Sequence, residues 1–305
     1  FLPDLQRIIN LLPKKRQNLM FSATFSPEIK KLASSFLTDP ITIEVARSNA
    51  TAEKVTQVVY KVAEDHKRDA VANILRQREL KQVIVFSNTK TGASRLARGL
   101  AAEGMKAAAI HGDKTQQERM QALDAFKKGE IDVLVATDVA ARGLDIAQLE
   151  CVINVDMSQD AEAHVHRIGR TGRAGAEGLA LSLASLDEMG RVGRIEQLLG
   201  REFQWQALDQ LAPADGGRPL QPAMDTLQIL GGRKDKIRPG DVLGALTGEA
   251  GFESADIGKI NITDFHSYVA VRRELAREVV KRLSAAKLKG RKVKVRRMAD
   301  LAELA

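Results

Sequence analysis

The chain has 305 residues, a formal net charge of +8 and 44% apolar residues, with a sequence pI near 9.6. Single cores stop growing at roughly 250 residues, so two domains are expected, and the basic balance favours nucleic acid over an acidic or neutral small ligand. No apolar run approaches the roughly 18 residues of a membrane span and no signal peptide is visible, while the single cysteine, Cys151, excludes an internal disulfide, so a reducing, cytoplasmic compartment is expected.

Residues 1–46 read as a helix from Pro3 to Leu12, a strand from Asn18 to Phe21, the tripeptide Ser22-Ala23-Thr24, a second helix and a strand from Ile41 to Val45. Ser26-Pro27 opens the second helix, a cap followed by proline at the first helical position. So short a segment cannot bury a core by itself, and it is expected to close a domain that begins upstream. Residues 47–54 are polar and read as a linker.

From residue 55 to 211, Val/Ile/Ala-rich runs alternate with amphipathic ones. Strands are expected at Val55–Val62, Gln82–Phe86, Lys106–Ile110, Asp132–Ala136, Cys151–Val155 and Leu179–Leu183, with helices between them such as Thr91–Glu103 and Thr115–Phe126. This alternation predicts a parallel sheet covered by helices on both faces. Cys151, inside one of these runs, reads as a buried core thiol. Ligands of such sheets bind at the carboxyl ends of the strands. Ser87-Asn88-Thr89, His111-Gly112-Asp113 and Thr137-Asp138 all fall there.

Residues 212–222 are rich in Pro, Gly and Asp and read as a second linker. Residues 223–299 then follow the order β-α-β-β-α-β, a compact α/β sandwich, with 300–305 as a tail. The strands are expected at Thr226–Leu230, Lys259–Thr263, Ser267–Val271 and Lys292–Arg296, with helical stretches near Val242–Thr247 and Arg273–Ser284. Alternation puts Leu227, Ile229, Ile260, Ile262, Val269, Val271, Val293 and Val295 toward the helices. The other parity carries Gln228, Lys259, Asn261, His266, Tyr268, Lys292, Lys294 and Arg296 on an open face. Such a face suits base stacking and phosphate contacts; the plainer alternative is a solvated outer surface.

Two motifs carry the chemistry. His166-Arg167-Ile168-Gly169-Arg170-Thr171-Gly172-Arg173 crowds like charges that repel unless an anion neutralises them, and the arginine fork matches phosphate oxygens two at a time. The second motif runs from Val135 to Asp145 and ends a buried strand with a hydroxyl, two carboxylates and an arginine. Asp145 is a candidate acceptor for ribose hydroxyls, with a turn aspartate as the bland alternative.

Together, HRIGRTGR at 166–173, TDVAARGLD at 137–145, Ser22-Ala23-Thr24, and Gln116 with Arg119 after His111-Gly112-Asp113 resemble the later motifs of DEAD-box RNA helicases. The resemblance covers about residues 1–211, implying the end of a first RecA-like domain and the whole of a second. It implies ATP bound with Mg2+ between the two domains, the magnesium ligands lying in the first. Arg170 and Arg173 would be catalytic arginine fingers, and Gly143, Asp145, His166 and Arg167 would serve the nucleotide site. Ser22, Ala23 and Thr24 would couple hydrolysis to strand separation, while Asn88, Thr89, Lys90, Gly112, Asp113, Lys114, Thr137 and Asp138 would touch RNA. The sequence has no Gly-x-x-x-x-Gly-Lys-Ser/Thr loop and no Asp-Glu-Ala-Asp run, so this stretch alone is not expected to hydrolyse ATP.

Residues 236–248 and 255–260 are similar to the accessory domain of DbpA-type bacterial helicases, an RRM-like fold. In its signature strands this chain has Gln228 where an aromatic is usual, and only Tyr268 of the expected aromatics. That resemblance implies recognition of a 23S ribosomal RNA hairpin, a role in large-subunit assembly and a monomeric protein. Two other readings remain open. One is a non-enzymatic RNA-binding scaffold with a RecA-like fold; the other is a DNA helicase.

Overall fold

The computed structural model describes residues 2–22, 27–43, 55–146, 149–172, 177–208 and 223–302. The chain divides into two compact units, Phe1–Ala50 and Thr51–Ala305. The linkers expected at 47–54 and 212–222 lie outside the described residues. In the first unit, α1 (Leu2–Leu11) and α2 (Pro27–Phe36) form, each with an acid in its first turn where the helix dipole favours one. Among the described residues, the strands expected there do not form. Residues 18–21 and 41–43 pair with no other strand, and 44–45 lie outside the described residues. A strand exists only when a neighbour supplies ladder hydrogen bonds.

The second unit begins with a seven-stranded parallel sheet: β1 (Val55–Lys61), β2 (Val83–Phe86), β3 (Ala107–Ile110), β4 (Val133–Ala136), β5 (Cys151–Asn154), β6 (Gly178–Ala184) and β7 (Gln204–Gln206). Their order is β3-β4-β2-β5-β6-β1-β7. Six of these strands match the sequence reading within one residue or so at either end. Gln204–Gln206 escaped it because three residues ending in Gln-Trp-Gln show no apolar run. The core lies on both sheet faces, as continuous apolar strands require. Cys151 is fully buried and burial pushes its thiol pKa up to about 12.

Intervening helices are α3 (Lys67–Gln77), α4 (Lys90–Ala102), α5 (Gln116–Lys127), the short α6 (Asp138–Ala141), α7 (Ala161–Ile168) and α8 (Met189–Leu199). Thr89 caps α4, accepting from the Gly92 amide at 2.9 Å. Thr115 and Glu118 form a capping box on α5. These caps turn the chain sharply at the strand ends and so fix where the functional loops emerge.

The C-terminal part is a second, antiparallel sheet ordered β13-β8-β10-β9: β8 (Met224–Ile229), β9 (Ile257–Ile262), β10 (Ser267–Arg272) and β13 (Val295–Arg297). The helices α9 (Pro239–Gly244) and α10 (Ala276–Ala285) cover one face, burying Leu227, Ile229, Val269 and Val271 as alternation requires. Two expectations change. The last strand begins at Val295, not Lys292, because Lys289 and Gly290 both take positive φ and close a separate hairpin of β11 (Lys287–Leu288) and β12 (Arg291–Lys292). Lys292 and Lys294 therefore leave the sheet face and are exposed beside it.

The other face of this sheet is covered as well. Tyr268 and Met298 join Met189, Val192, Phe203 and Trp205 in one apolar cluster. Asn261 Nδ2 donates to the Leu186 carbonyl at 2.8 Å, and Lys259 pairs with Asp187. The apolar stripe of α8 has two sheets available to cover it, which explains why Gln228 and Tyr268 are each only 5% exposed.

His164 on α7 gives the fold a pH dependence. Its Nε2 lies 2.7 Å from Gln57 Oε1, its ring meets Phe203 edge-on at 5.7 Å, and burial pushes its pKa down to about 3. Unfolded, it titrates near 6.5, so between pH 6.5 and 3 the unfolded state holds the extra proton and stability falls as pH falls. Urea unfolding at pH 4.5 is expected to show a loss from this group of up to about 2.7 kcal/mol relative to pH 7. His164→Gln should flatten that part of the profile.

Candidate functional site

In the sheet, β3, β4 and β2 are neighbours in level register: Ile110 and Phe86 both stand opposite Ala136. Their carboxyl ends therefore deliver the loops at 87–90, 111–114 and 137–138 side by side. Lys90 Nζ donates to Asp113 Oδ1 at 2.6 Å, and this hydrogen bond holds the Asp113 carboxyl below its usual range. Gly112 lies against the Lys90 side chain, a Cβ there falling 3.3 Å from Lys90 Cε. Lys114 pairs with Glu118 at 3.4 Å, and Thr137 is buried ahead of α6. Buried His111 lies 2.7 Å from Ser94 Oγ and anchors the middle loop.

One side chain joins these loops to the basic octet. The Arg167 side chain is 1% exposed. Its Nε and Nη2 donate to the two Asp138 carboxylate oxygens at 2.6 and 2.7 Å, Nη2 donates to Asn88 Oδ1 at 2.7 Å, and Nη1 donates to the Asp156 carbonyl at 2.7 Å. Its carbon also lies 5.2 Å above the Phe86 ring. Four donated bonds leave little of Arg167 for a ligand. Asp138 and Asn88 spend their side-chain oxygens on it. Asp156, absent from the sequence reading, also accepts from Ser87 Oγ at 2.9 Å and from the Asn88 amide at 2.8 Å. Its place just past β5, like the polar residues past β2, β3 and β4, was the available signal.

Residues expected to serve the nucleotide site lie on the neighbouring turn. Gly143 has φ +71°, a left-handed conformation that favours glycine. Asp145 follows with its carboxylate exposed and paired to Lys127 at 3.1 Å. Arg170 reaches back to the same turn, donating to the carbonyls of Leu144 at 3.0 Å and Ala141 at 3.2 Å. Arg170, expected as a finger for phosphate, is thus held by backbone oxygens. Neutral carbonyl dipoles satisfy a guanidinium when no phosphate does. His166 is exposed. The octet's second glycine, Gly172, has φ +69°, and a Cβ there would fall 2.9 Å from Val55 Cγ2. Arg173, Ala23 and Thr24 lie outside the described residues, and Ser22 belongs to the first unit.

In the C-terminal sheet, Arg296 Nε donates to Gln228 Oε1 at 2.6 Å and Gln228 Nε2 donates to Tyr268 Oη at 3.0 Å. Burial raises the Tyr268 pKa and lowers that of half-buried His266. These residues lie together with Asn261, under α8 and not on an open surface, while Lys259 stays exposed at the edge, paired with Asp187.

A parallel sheet with basic and polar loops at the ends of adjacent strands, an aspartate–arginine turn beside them, and an appended antiparallel sandwich together define a helicase domain joined to an RNA-binding module. The helicase conserved C-terminal domain family matches residues 66–175, and the DbpA RNA binding domain family matches residues 226–297. The ATP-dependent RNA helicase DbpA of Escherichia coli (strain K12) is 41% identical over 290 residues, which is 95% of this chain and 62% of that protein. The ATP-dependent RNA helicase CshA of Limosilactobacillus reuteri is 43% identical over 171 residues, 56% of this chain and 34% of that protein. The structure of S. cerevisiae Dbp5 bound to RNA and ADP BeF3 aligns at a TM-score of 0.62 with 30% identity, over 67% of this chain and 55% of that one. The chain belongs to the DEAD-box RNA helicases, and within them to the DbpA type. It spans about 62% of the length of the DbpA relative.

Arg167 and Arg170 should separate cleanly in stability measurements. Breaking a buried ion pair from one side typically costs about 3–5 kcal/mol, so Arg167→Ala should lower the urea midpoint strongly. Arg170→Ala, which releases partly solvated carbonyls, should cost no more than about 1.5 kcal/mol.

Proposed function

We propose that this chain is the arginine-finger and RNA-anchoring part of an ATP-dependent RNA helicase that unwinds RNA duplexes with RNA-stimulated ATP hydrolysis. The observation that carries the reading is the turn shared by Asp145 and Arg170, next to the loops that end β2, β3 and β4. The residues present fit half of a site for ATP with Mg2+. Asp145 offers a carboxylate to the ribose hydroxyls, and Arg170 can exchange carbonyl partners for phosphate oxygens, which bind a guanidinium more strongly. Arg173 is proposed as the second finger, with Gly143 shaping the turn and His166 lining the domain boundary. Arg167 acts from inside, as a positioning residue for Asp138 and Asn88.

On the RNA side, Thr89, Lys90, Gly112, Asp113, Lys114 and Thr137 would meet the backbone of one strand. Asn88 and Asp138, whose side chains are held by Arg167, complete the proposed RNA-binding set. Lys292 and Lys294, exposed on and beyond the β11–β12 hairpin, would supply phosphate contacts from the C-terminal module. A 23S rRNA hairpin and a large-subunit assembly intermediate are the proposed partners, with a monomeric, cytoplasmic protein. The coupling role of Ser22, Ala23 and Thr24 belongs to the same proposal, as do the boundaries 1–46, 55–211 and 223–299.

Three measurements test this. The 305-residue chain alone should give no RNA-stimulated ATP hydrolysis, and measurable turnover would contradict the proposal. In a protein extended by a first domain with a phosphate-binding loop, Arg170→Ala should lower kcat on the order of 10³-fold. Lys292→Glu with Lys294→Glu should weaken RNA binding and make the plot of log affinity against log salt shallower by about 0.7–0.9 per lost phosphate contact. Unchanged affinity and slope would remove these lysines from the RNA path.

A further inference from the structure

Between α8 and the C-terminal sheet the packing is incomplete, and a cleft of about 850 Å³ remains. Small-ligand sites span roughly 300–1,000 Å³, so the space is large enough for one nucleoside. Gly193, Arg194 and Gln197 form the helicase-side wall, while Phe265, Tyr268 and Arg296 come from the other module.

The lining selects what can enter. Phe265 is 55% exposed, and Lys234 Nζ lies 4.2 Å from its ring centroid. An exposed ring paired with a cation is a stacking surface for a base. Half-buried His266 follows, tilted against Tyr268 with ring centroids 6.3 Å apart. The Arg296–Gln228–Tyr268 chain of hydrogen bonds fixes the guanidinium through Nε, and its two terminal nitrogens carry no hydrogen bond among the described residues. They form a fork suited to acceptors on a base edge.

Charge argues for a base over a phosphate. The arginines of the cleft, Arg191, Arg194, Arg233 and Arg296, are matched by Asp187, Glu196, Glu202 and Asp264. Asp264 pairs with Arg233 and Asp187 with Lys259. So balanced a lining gives little net attraction for phosphate. A flat, neutral group that stacks and offers acceptors meets it better.

We propose that this cleft takes a single unstacked nucleobase of a folded RNA, stacked on Phe265 and hydrogen-bonded by Arg296, so that α8 of the helicase domain is one wall of the recognition site. The proposal rests on the reading of the chain as an RNA binder and deepens it: the two modules read RNA jointly. The sheet residues then contact RNA without first separating from α8.

Gly193 provides the direct test. A Cβ built there meets nothing within 4 Å, so Gly193→Trp has open space at its root and enters the cleft from the helicase side. The probes are a short RNA hairpin with unpaired loop nucleotides and the same stem as a blunt duplex. Binding to the 305-residue chain is followed by fluorescence anisotropy across a salt series. Gly193→Trp and Phe265→Ala are each expected to weaken hairpin binding about tenfold, with the salt slope and duplex affinity unchanged. Hairpin affinity within twofold of the unmodified chain for both variants would overturn the proposal. If Lys292→Glu with Lys294→Glu still weakens binding in that case, the RNA-binding reading stands and only the cleft is lost. If the unmodified chain binds neither probe, both fail. Should Gly193→Trp melt early, Phe265→Ala, at an exposed position, decides alone.

Discussion

The guanidinium of Arg167 is the constraint on which the helicase domain depends. It is buried, and a buried charge is tolerated only when it is paired and its donors are satisfied. Asp138, Asn88 and the Asp156 carbonyl supply that satisfaction from the ends of β4, β2 and β5. Three loops that would otherwise move separately are tied to α7, and α7 leads directly to Arg170. The geometry of the strand-end loops and that of the turn proposed to face nucleotide are thus tied to one side chain. Lysine could not replace it, because a point charge cannot meet three loops through a planar fork.

A second network supports the first. Lys67, whose side chain is 4% exposed, pairs with Glu188 at 2.7 Å and with Asp156 at 3.4 Å. Glu188 also accepts from the Met157 amide at 2.9 Å. Glu188 sits just before α8, the helix that covers the C-terminal sheet. A continuous chain of polar contacts therefore runs from the β4 loop through Arg167, Asp156 and Glu188 to the foot of the cleft. The turn proposed for nucleotide and the RNA-binding module are built on the same internal scaffold.

Much of this was legible in the sequence. Continuous Val/Ile/Ala runs identified six of the seven parallel strands, and the polar residues at their ends identified the loops. Alternation separated the two faces of the C-terminal sheet, as buried Leu227 and Val269 bear out. Three features were not legible. Strand formation at 18–21 and 41–43 depends on partners that a local pattern does not specify. The Lys289-Gly290 turn was visible as a dipeptide, but reading Lys292–Arg296 as one strand overrode it. The open sheet face was an inference from parity, and parity says which residues share a face without saying what covers it. The same limit applies to arginine. Arg167 and Arg170 look alike in the octet, yet one is fully engaged inside and the other is held at the turn by carbonyls, because only the fold decides which anion or dipole each can reach.

The central claim is that Arg170 is a finger held in reserve by carbonyls until phosphate replaces them. The most direct measurement is a structure of this chain joined to a first RecA-like domain, with RNA and a non-hydrolysable ATP analogue bound. The account requires Arg170 to leave the carbonyls of Ala141 and Leu144 and to lie within about 3 Å of a γ-phosphate oxygen. Arg170 still bonded to those carbonyls, with the γ-phosphate met by other residues alone, would contradict it.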